Sequence, residues 1–344
     1  MSHLKLLSKL RAYGVSGTLF CWLVNFLSNR TQYVSINSSV SCPSNVTSGV
    51  PQGSVLGPTL FLIFINDICD ISFGLNVQCK LFADDLKMYA TCSKSDQHTI
   101  EHLNVALSRI ESWCNLWQLN LAPDKCSLLR ISNTKLSSPP ESYFYTINGR
   151  PINQCSYIRD LGVIVDNRLN FDVHISNSKR IALTRAKLIL KCFQSKNAEL
   201  LVKAFITYVR PLLEYCSPVW SPHHVYLNNA IEDVQRFFTK RIHGMWDHSY
   251  TERLNLLGLQ PLYFRRTVSD LTMCYKILHG HIDTNLCGLF SVRTDSRTRG
   301  HDLRLLSHPF SKDISKFFFL NRCIANWNDL PPDIVHAPSL VTFK

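Results

Sequence analysis

Leu81-Phe82-Ala83-Asp84-Asp85, set within residues 77–90, places adjacent carboxylates between two apolar, β-forming runs. That pattern predicts a hairpin whose tight turn carries Asp84 and Asp85. Adjacent like charges repel, so a positive group is expected beside them, and a divalent cation with oxygen ligands would serve. The plain alternative is a solvated Asp-Asp turn. These residues alone favour it, because Asp is a common turn former.

The stretch upstream changes the balance. Ser48-Gly49-Val50-Pro51-Gln52-Gly53-Ser54-Val55-Leu56-Gly57-Pro58 leads into the apolar run Leu60-Phe61-Leu62-Ile63-Phe64-Ile65 and then Asn66-Asp67. Glycine and proline force a turn, and the run after them predicts a buried helix. A Gly-rich loop lets a ligand or a nucleic-acid backbone approach the main chain closely. In this order and at this separation, the SGVPQGSVLGP loop and the FADD box closely resemble the palm of reverse transcriptases of non-LTR retrotransposons (the LINE or jockey-like group). The resemblance extends over essentially the whole chain. Arg30 and Gln32 match the family's Asn-Arg-x-Gln-x-Val segment, and Leu119 to Cys126 resembles its fourth palm motif around Lys125. Residues 157–166 resemble the last palm element, and Arg210 to Trp220 the Arg-Pro-x-Leu-Glu-Tyr-x-x-x-x-Trp segment that follows the thumb.

Composition agrees with such a protein. The 344 residues suffice for two or three domains and a large core. Hydrophobic residues make up 45% and charged ones 18%, which excludes a disordered chain. Lys and Arg outnumber Asp and Glu by 37 to 25, a formal net charge of +12. A basic globular protein usually meets a polyanion, and nucleic acid is the expected partner. The 13 cysteines include no C-x-x-C pair, so reduced thiols in an intracellular protein are expected and a zinc site is not. Cys216, Cys274 and Cys323 fall in apolar helical stretches and are expected in the core. The apolar run Thr18 to Val24 after Lys5, Lys9 and Arg11 reads as an amphipathic helix, not a signal peptide, and no membrane-spanning segment is evident.

Along the chain, helices are expected over 3–12, 17–28, 95–117 with a Ser95-Asp96 cap, 174–192, 199–214, 228–243, 262–278 and 317–330. Residues 31–37 alternate as a strand does, with 40–47 as its partner, and Asn148-Gly149 predicts a hairpin turn. Residues 133–142 and 293–304 read as loops; Arg297, Arg299 and Arg304 fall in the second. The fold class is α+β: a partial right-hand polymerase palm over 1–168, a thumb-like helical region over 169–245, and a helical C-terminal region over 246–344.

The resemblance implies a site. Asp84 would be a direct ligand of Mg²⁺ (or Mn²⁺, two ions in the intact family), with Asp85 its neighbour. Pro51, Gln52 and Gly53 would line the templating base and the incoming dNTP, Lys125 would protonate the leaving pyrophosphate, and Leu161 and Gly162 would grip the primer end. The partners implied are an RNA template and a DNA primer or target, with action in the nucleus. Ser2-His3 resembles the segment just after the family's first catalytic aspartate, so the fingers and first palm strand are expected to be missing, and an isolated chain inactive. Two other readings stand beside this one. The chain could be a non-catalytic nucleic-acid-binding remnant, or a fragment that does not fold stably.

Overall fold

Leu6 and Leu10 are one helical turn apart, as are Phe20, Leu23 and Leu27, and the helices they predict form: α1 (His3–Ala12) and α2 (Gly17–Leu27). The computed structural model describes residues 1–92, 97–132, 145–282, 290–293, 300–307 and 309–343. The chain divides into two compact units. The first holds Met1–Leu128 and the stretch ending at Cys155; the second takes up Leu129 and runs on from Ser156.

In the first unit, four two-residue strands follow α2: β1 (Thr31–Gln32), β2 (Ser35–Ile36), β3 (Ser39–Val40) and β4 (Ser44–Asn45). The single strand pair expected here is interrupted at Tyr33-Val34 into β1 with β4 and β2 with β3, the latter joined by a turn with Asn37 at φ 53°. All four strands are exposed, so no buried face enforces a long register. Helix α3 (Leu56–Ile65) buries Gly57, Leu60, Phe64 and Ile65 but leaves Leu62 half exposed, so it is buried on one face only. A 3₁₀ stretch, Asn66–Ser72, leads to β5 (Gln78–Phe82) and β6 (Asp85–Tyr89), and α4 (Gln97–Trp117) packs behind them. The Ser95-Asp96 cap and the 133–142 loop lie outside the described residues. Strand β7 is Ser127–Leu129. Then β8 (Thr146–Ile147) and β9 (Arg150–Pro151) close around Asn148 and Gly149, both at positive φ, the type I′ geometry an Asn-Gly pair predicts.

The unit's core gathers Leu6, Leu10, Phe20, Leu23, Leu27, Leu60 and Phe64. Inside it sits a lysine. Lys9 is 4% exposed, donates to the Phe64 carbonyl at 2.5 Å and to Asp67, and faces the rings of Phe64, Trp113 and Trp117.

In the second unit, β10 (Asn153–Cys155) having closed the first, β11 (Tyr157–Asp160) and β12 (Val163–Asp166) form a hairpin that delivers the chain into α5 (Asp172–Cys192). Ala182 and Ala186 sit on the buried face of α5, and small side chains there allow α9 (Val225–Thr239) to approach closely. The helix expected over 199–214 is two: α6 (Ala198–Tyr208) and α7 (Arg210–Glu214). Pro211, without an N–H, breaks the ladder and starts the second. Next come α8 (Ser217–Trp220), α9, α10 (Tyr250–Leu256) and α11 (Leu262–Leu278). The helix expected over 317–330 is a series of short turns, Asp313–Phe317, Phe319–Arg322 and Ile324–Asn328, because Phe318 is extended. Cys274 and Cys323 are buried as expected. Cys216 is not: it takes a left-handed conformation (φ 55°) ahead of α8 and is exposed. Among the described residues no helix is long and apolar enough to cross a membrane. Mixed helix and strand, with the strands before residue 167 and helices alone named after it, make the fold α+β.

Candidate active site

The turn comes from strand alternation. Phe82 pairs with Asp85, so Ala83 and Asp84 form a two-residue loop, and Ala83 takes φ 52°. A positive φ at the first loop position is the type II′ pattern, which normally belongs to glycine. Cys79, Leu86 and Met88 face inward onto Ile71, Ile110 and Cys114. Arg109 fixes this backing by donating to the carbonyls of Ile71 and Phe73 at 2.8 and 2.9 Å. The outward face carries Lys80, Phe82, Asp85, Lys87 and Tyr89. Asp84 and Asp85 are both exposed at the tip. Lys80 lies directly opposite Lys87 on the same ribbon.

The glycine loop forms a groove. Ser54 Oγ donates to the Pro51 carbonyl at 2.7 Å and accepts from the Gly57 amide at 3.1 Å, closing the turn and capping the start of α3. Gly57 fits closely here, since a Cβ would stand 3.1 Å from both the Pro51 carbonyl and Ser54 Oγ, tighter than ordinary contact. Pro51, Gln52, Gly53 and Phe61 line an open groove of about 480 Å³. His3 and Met1 hold the loop's near end: His3 Nε2 bonds the Gly49 carbonyl at 2.8 Å, and the Gly49 amide donates to the Met1 carbonyl at 2.8 Å. The Ser-His segment therefore has a structural task that its sequence did not disclose. Lys125 ends a 3₁₀ turn, Pro123–Lys125, and is exposed; burial raises the pKa of the neighbouring Cys126 thiol.

Leu161 and Gly162 lie in the other unit, at the tip of the β11–β12 hairpin, with φ 43° and 90°. Tyr215 secures them. Its hydroxyl donates to the Leu161 carbonyl at 2.9 Å, and a Cβ on Gly162 would meet its ring at 3.2 Å. Trp220 Nε1 donates to the Tyr215 carbonyl at 2.7 Å, and His174 packs edge-on against Trp220 with centroids 5.1 Å apart. His174 Nδ1 accepts the Ile164 amide at 3.2 Å, and burial holds its pKa below the ordinary imidazole value. Asp166 fans over the next turn, accepting from the amides of Arg168, Asn170 and Phe171 at 2.9, 3.2 and 2.6 Å. Tyr215 and Asp166 were legible only as motif letters, and His174 only as the start of a helix.

Among the described residues no group of three or more His, Cys, Asp and Glu side chains is placed to hold a metal. The Asp84-Asp85 pair nevertheless suits Mg²⁺, which takes a few carboxylates and completes its shell with water and phosphate.

A hairpin tipped with paired carboxylates and a glycine-loop groove thus both lie within the first unit of this basic chain. Residues 1–165 match the reverse transcriptase (RNA-dependent DNA polymerase) family, and this segment belongs to it. The chain is 28% identical over 235 residues to the RNA-directed DNA polymerase from mobile element jockey of Drosophila melanogaster, covering 66% of this chain and 25% of that protein. A jockey counterpart from Drosophila funebris is 28% identical over 239 residues, covering 67% and 25%. The probable RNA-directed DNA polymerase from transposon X-element of Drosophila melanogaster is 29% identical over 160 residues, covering 46% and 17%. The chain thus spans about 25% of the length of the jockey relatives. Over the matched residues the chain is thus similar to the reverse transcriptases of non-LTR retrotransposons.

Proposed function

We propose that the chain contributes the catalytic palm and thumb of an RNA-directed DNA polymerase, adding dNTPs to a DNA primer along an RNA template. The observation that carries this reading is the exposed Asp84-Asp85 pair raised on a two-residue turn, within the family-matched segment that also forms the glycine-loop groove. Asp84 and Asp85 would hold Mg²⁺ or Mn²⁺, which when bound activates the primer hydroxyl and stabilises the leaving phosphate. Pro51, Gln52 and Gly53 orient the templating base and dNTP. Lys125, exposed beyond α4, gives its ammonium proton to the departing pyrophosphate oxygen. Leu161 and Gly162, rigidified by Tyr215, position the primer end.

The thumb occupies 169–245 and a further helical region 246–344. On α5, Arg180, Lys187 and Lys191 are exposed and recur at spacings of seven and four, one stripe along the helix facing phosphates. The setting is nuclear, where the DNA target lies.

No Asp or Glu precedes Asp67 in these 344 residues, and Asp67 is committed to Lys9. Within these residues the turn has two carboxylates of its own, and the resemblance implies a third. Loss of one member of a cooperative site lowers rates by roughly several orders of magnitude. Primer extension on an RNA template with Mg²⁺ or Mn²⁺ tests both parts. The expected result is salt-dependent binding of the primer–template with only trace incorporation. Robust incorporation abolished by Asp84→Ala would overturn the inactivity and keep the site. Absence of primer–template binding would overturn the polymerase reading itself.

A further inference from the structure

The second unit contains an open cavity of about 680 Å³ that the polymerase reading does not use. This is the size range of small-ligand sites. Its rim is aromatic. His223 stacks face to face on Phe317, with centroids 4.1 Å apart and planes within 1°, and Tyr263 stands 59% exposed beside them. Its wall and floor are cationic. Arg236 lines the wall, and beneath lies Arg266, 2% exposed, which donates from Nη2 to Asn228 Oδ1 at 2.6 Å. Arg266 Nε and Nη1 have no acceptor among the described residues.

The two acids that line it are engaged. Asp270 takes a two-pronged contact from Arg322, at 2.8 and 2.9 Å, and Glu232 accepts from the Tyr250 hydroxyl and the Leu262 amide. Asp233 is shared between Lys179 at 2.9 Å and Arg236 at 3.2 Å. Counting Arg236, Arg266 and Arg322 against Glu232 and Asp270, the lining keeps one surplus positive charge. Aromatic side chains beside surplus cationic charge are what single-stranded nucleic acid recognition combines.

We propose that this cavity receives one unstacked nucleotide of a single-stranded nucleic acid, its base against the His223–Phe317 stack and Tyr263, its phosphate toward Arg236. The inference rests on the proposed function only in taking nucleic acid as the partner. It is separate from the α5 stripe, which faces a duplex.

The test is fluorescence anisotropy of the full chain with labelled oligo(U), oligo(dT) and a mixed-sequence duplex. His223→Ala and Tyr263→Ala alter exposed rings, and circular dichroism checks that the helices persist. Each is expected to weaken single-strand binding about tenfold, the effect of losing one stacked base, while duplex affinity stays unchanged. Tyr263→Phe, which keeps the ring, should restore binding. Arg236→Gln should flatten the salt dependence by about one counterion. The oligo(U) and oligo(dT) arms tell RNA from DNA. Unchanged single-strand affinity in both ring variants, or an equal fall for single strand and duplex, overturns the proposal. Asp84→Asn should leave this binding intact, so failure of the polymerase site reads out separately.

Discussion

The Lys9 ammonium sits 3.9 Å from the centre of the Trp117 ring, inside the core of the first unit and paired with Asp67. Three rings and a carboxylate offset the desolvation of a cation that would otherwise be expelled. Lys9→Ala should empty this cage, leave Asp67 alone and destabilise the unit by about 2–4 kcal/mol, read by urea unfolding with Trp fluorescence. Lys9→Met, which keeps most of the volume, should lose less.

The same lysine gives a pH signature. Burial lowers its pKa below the ordinary 10.5, outweighing the opposing pull of Asp67. The unfolded chain therefore binds the proton more tightly, and this contribution to stability rises as pH climbs from the lowered folded value toward 10.5. Unfolding midpoints measured across alkaline pH should show that slope in the native chain and lose it in Lys9→Met.

His174 imposes the corresponding behaviour in acid. Its folded pKa is below 6.5 because of burial, and its Nδ1 must stay unprotonated to accept the Ile164 amide. The stability it supports is complete above 6.5 and is lost as pH falls toward the lowered folded value. An NMR titration of the imidazole, with unfolding followed in parallel, checks both the pKa and the coupling.

Gly162→Ala should weaken the second unit by about 1–3 kcal/mol, because φ 90° strains any side chain and the new Cβ would press on the Tyr215 ring. Tyr215→Phe loses only one hydrogen bond at a half-exposed site and should cost about 0.5–1.5 kcal/mol. If the hairpin grips a primer, Gly162→Ala should also weaken primer–template binding at temperatures where the chain is still folded.

At the carboxylate turn, Ala83 holds a conformation that glycine adopts freely. Ala83→Gly should relieve strain of about 1 kcal/mol and leave Mg²⁺ or Mn²⁺ binding in place. Asp84→Asn should remove Mn²⁺ binding, followed by electron paramagnetic resonance, without moving the unfolding midpoint, since Asp84 is exposed.

Where the sequence carried a strong period or a turn signal, the structure followed it. The 3.6-residue spacing in α1, α4, α5 and α11, the Asn148-Gly149 turn and the hairpin at Asp84-Asp85 could all be read from residue type. What could not be read depended on distant partners. Cys216 looked like core because its neighbours are apolar, yet its left-handed backbone turns it outward. Pro211 split a helix that its flanking residues favour. Gly162 and Tyr215 are 53 positions apart, and nothing local announces that one must be bare because the other's ring lies over it. The cage around Lys9 was hidden for the same reason: a lysine on a helix is ordinarily a surface residue.

The four short strands between Thr31 and Asn45 are exposed along their whole length, so little apolar burial opposes their opening. A protease added sparingly to the folded protein should therefore cut there early, before the α5–α9 pair yields, and the resulting nick would mark the weakest joint of the first unit.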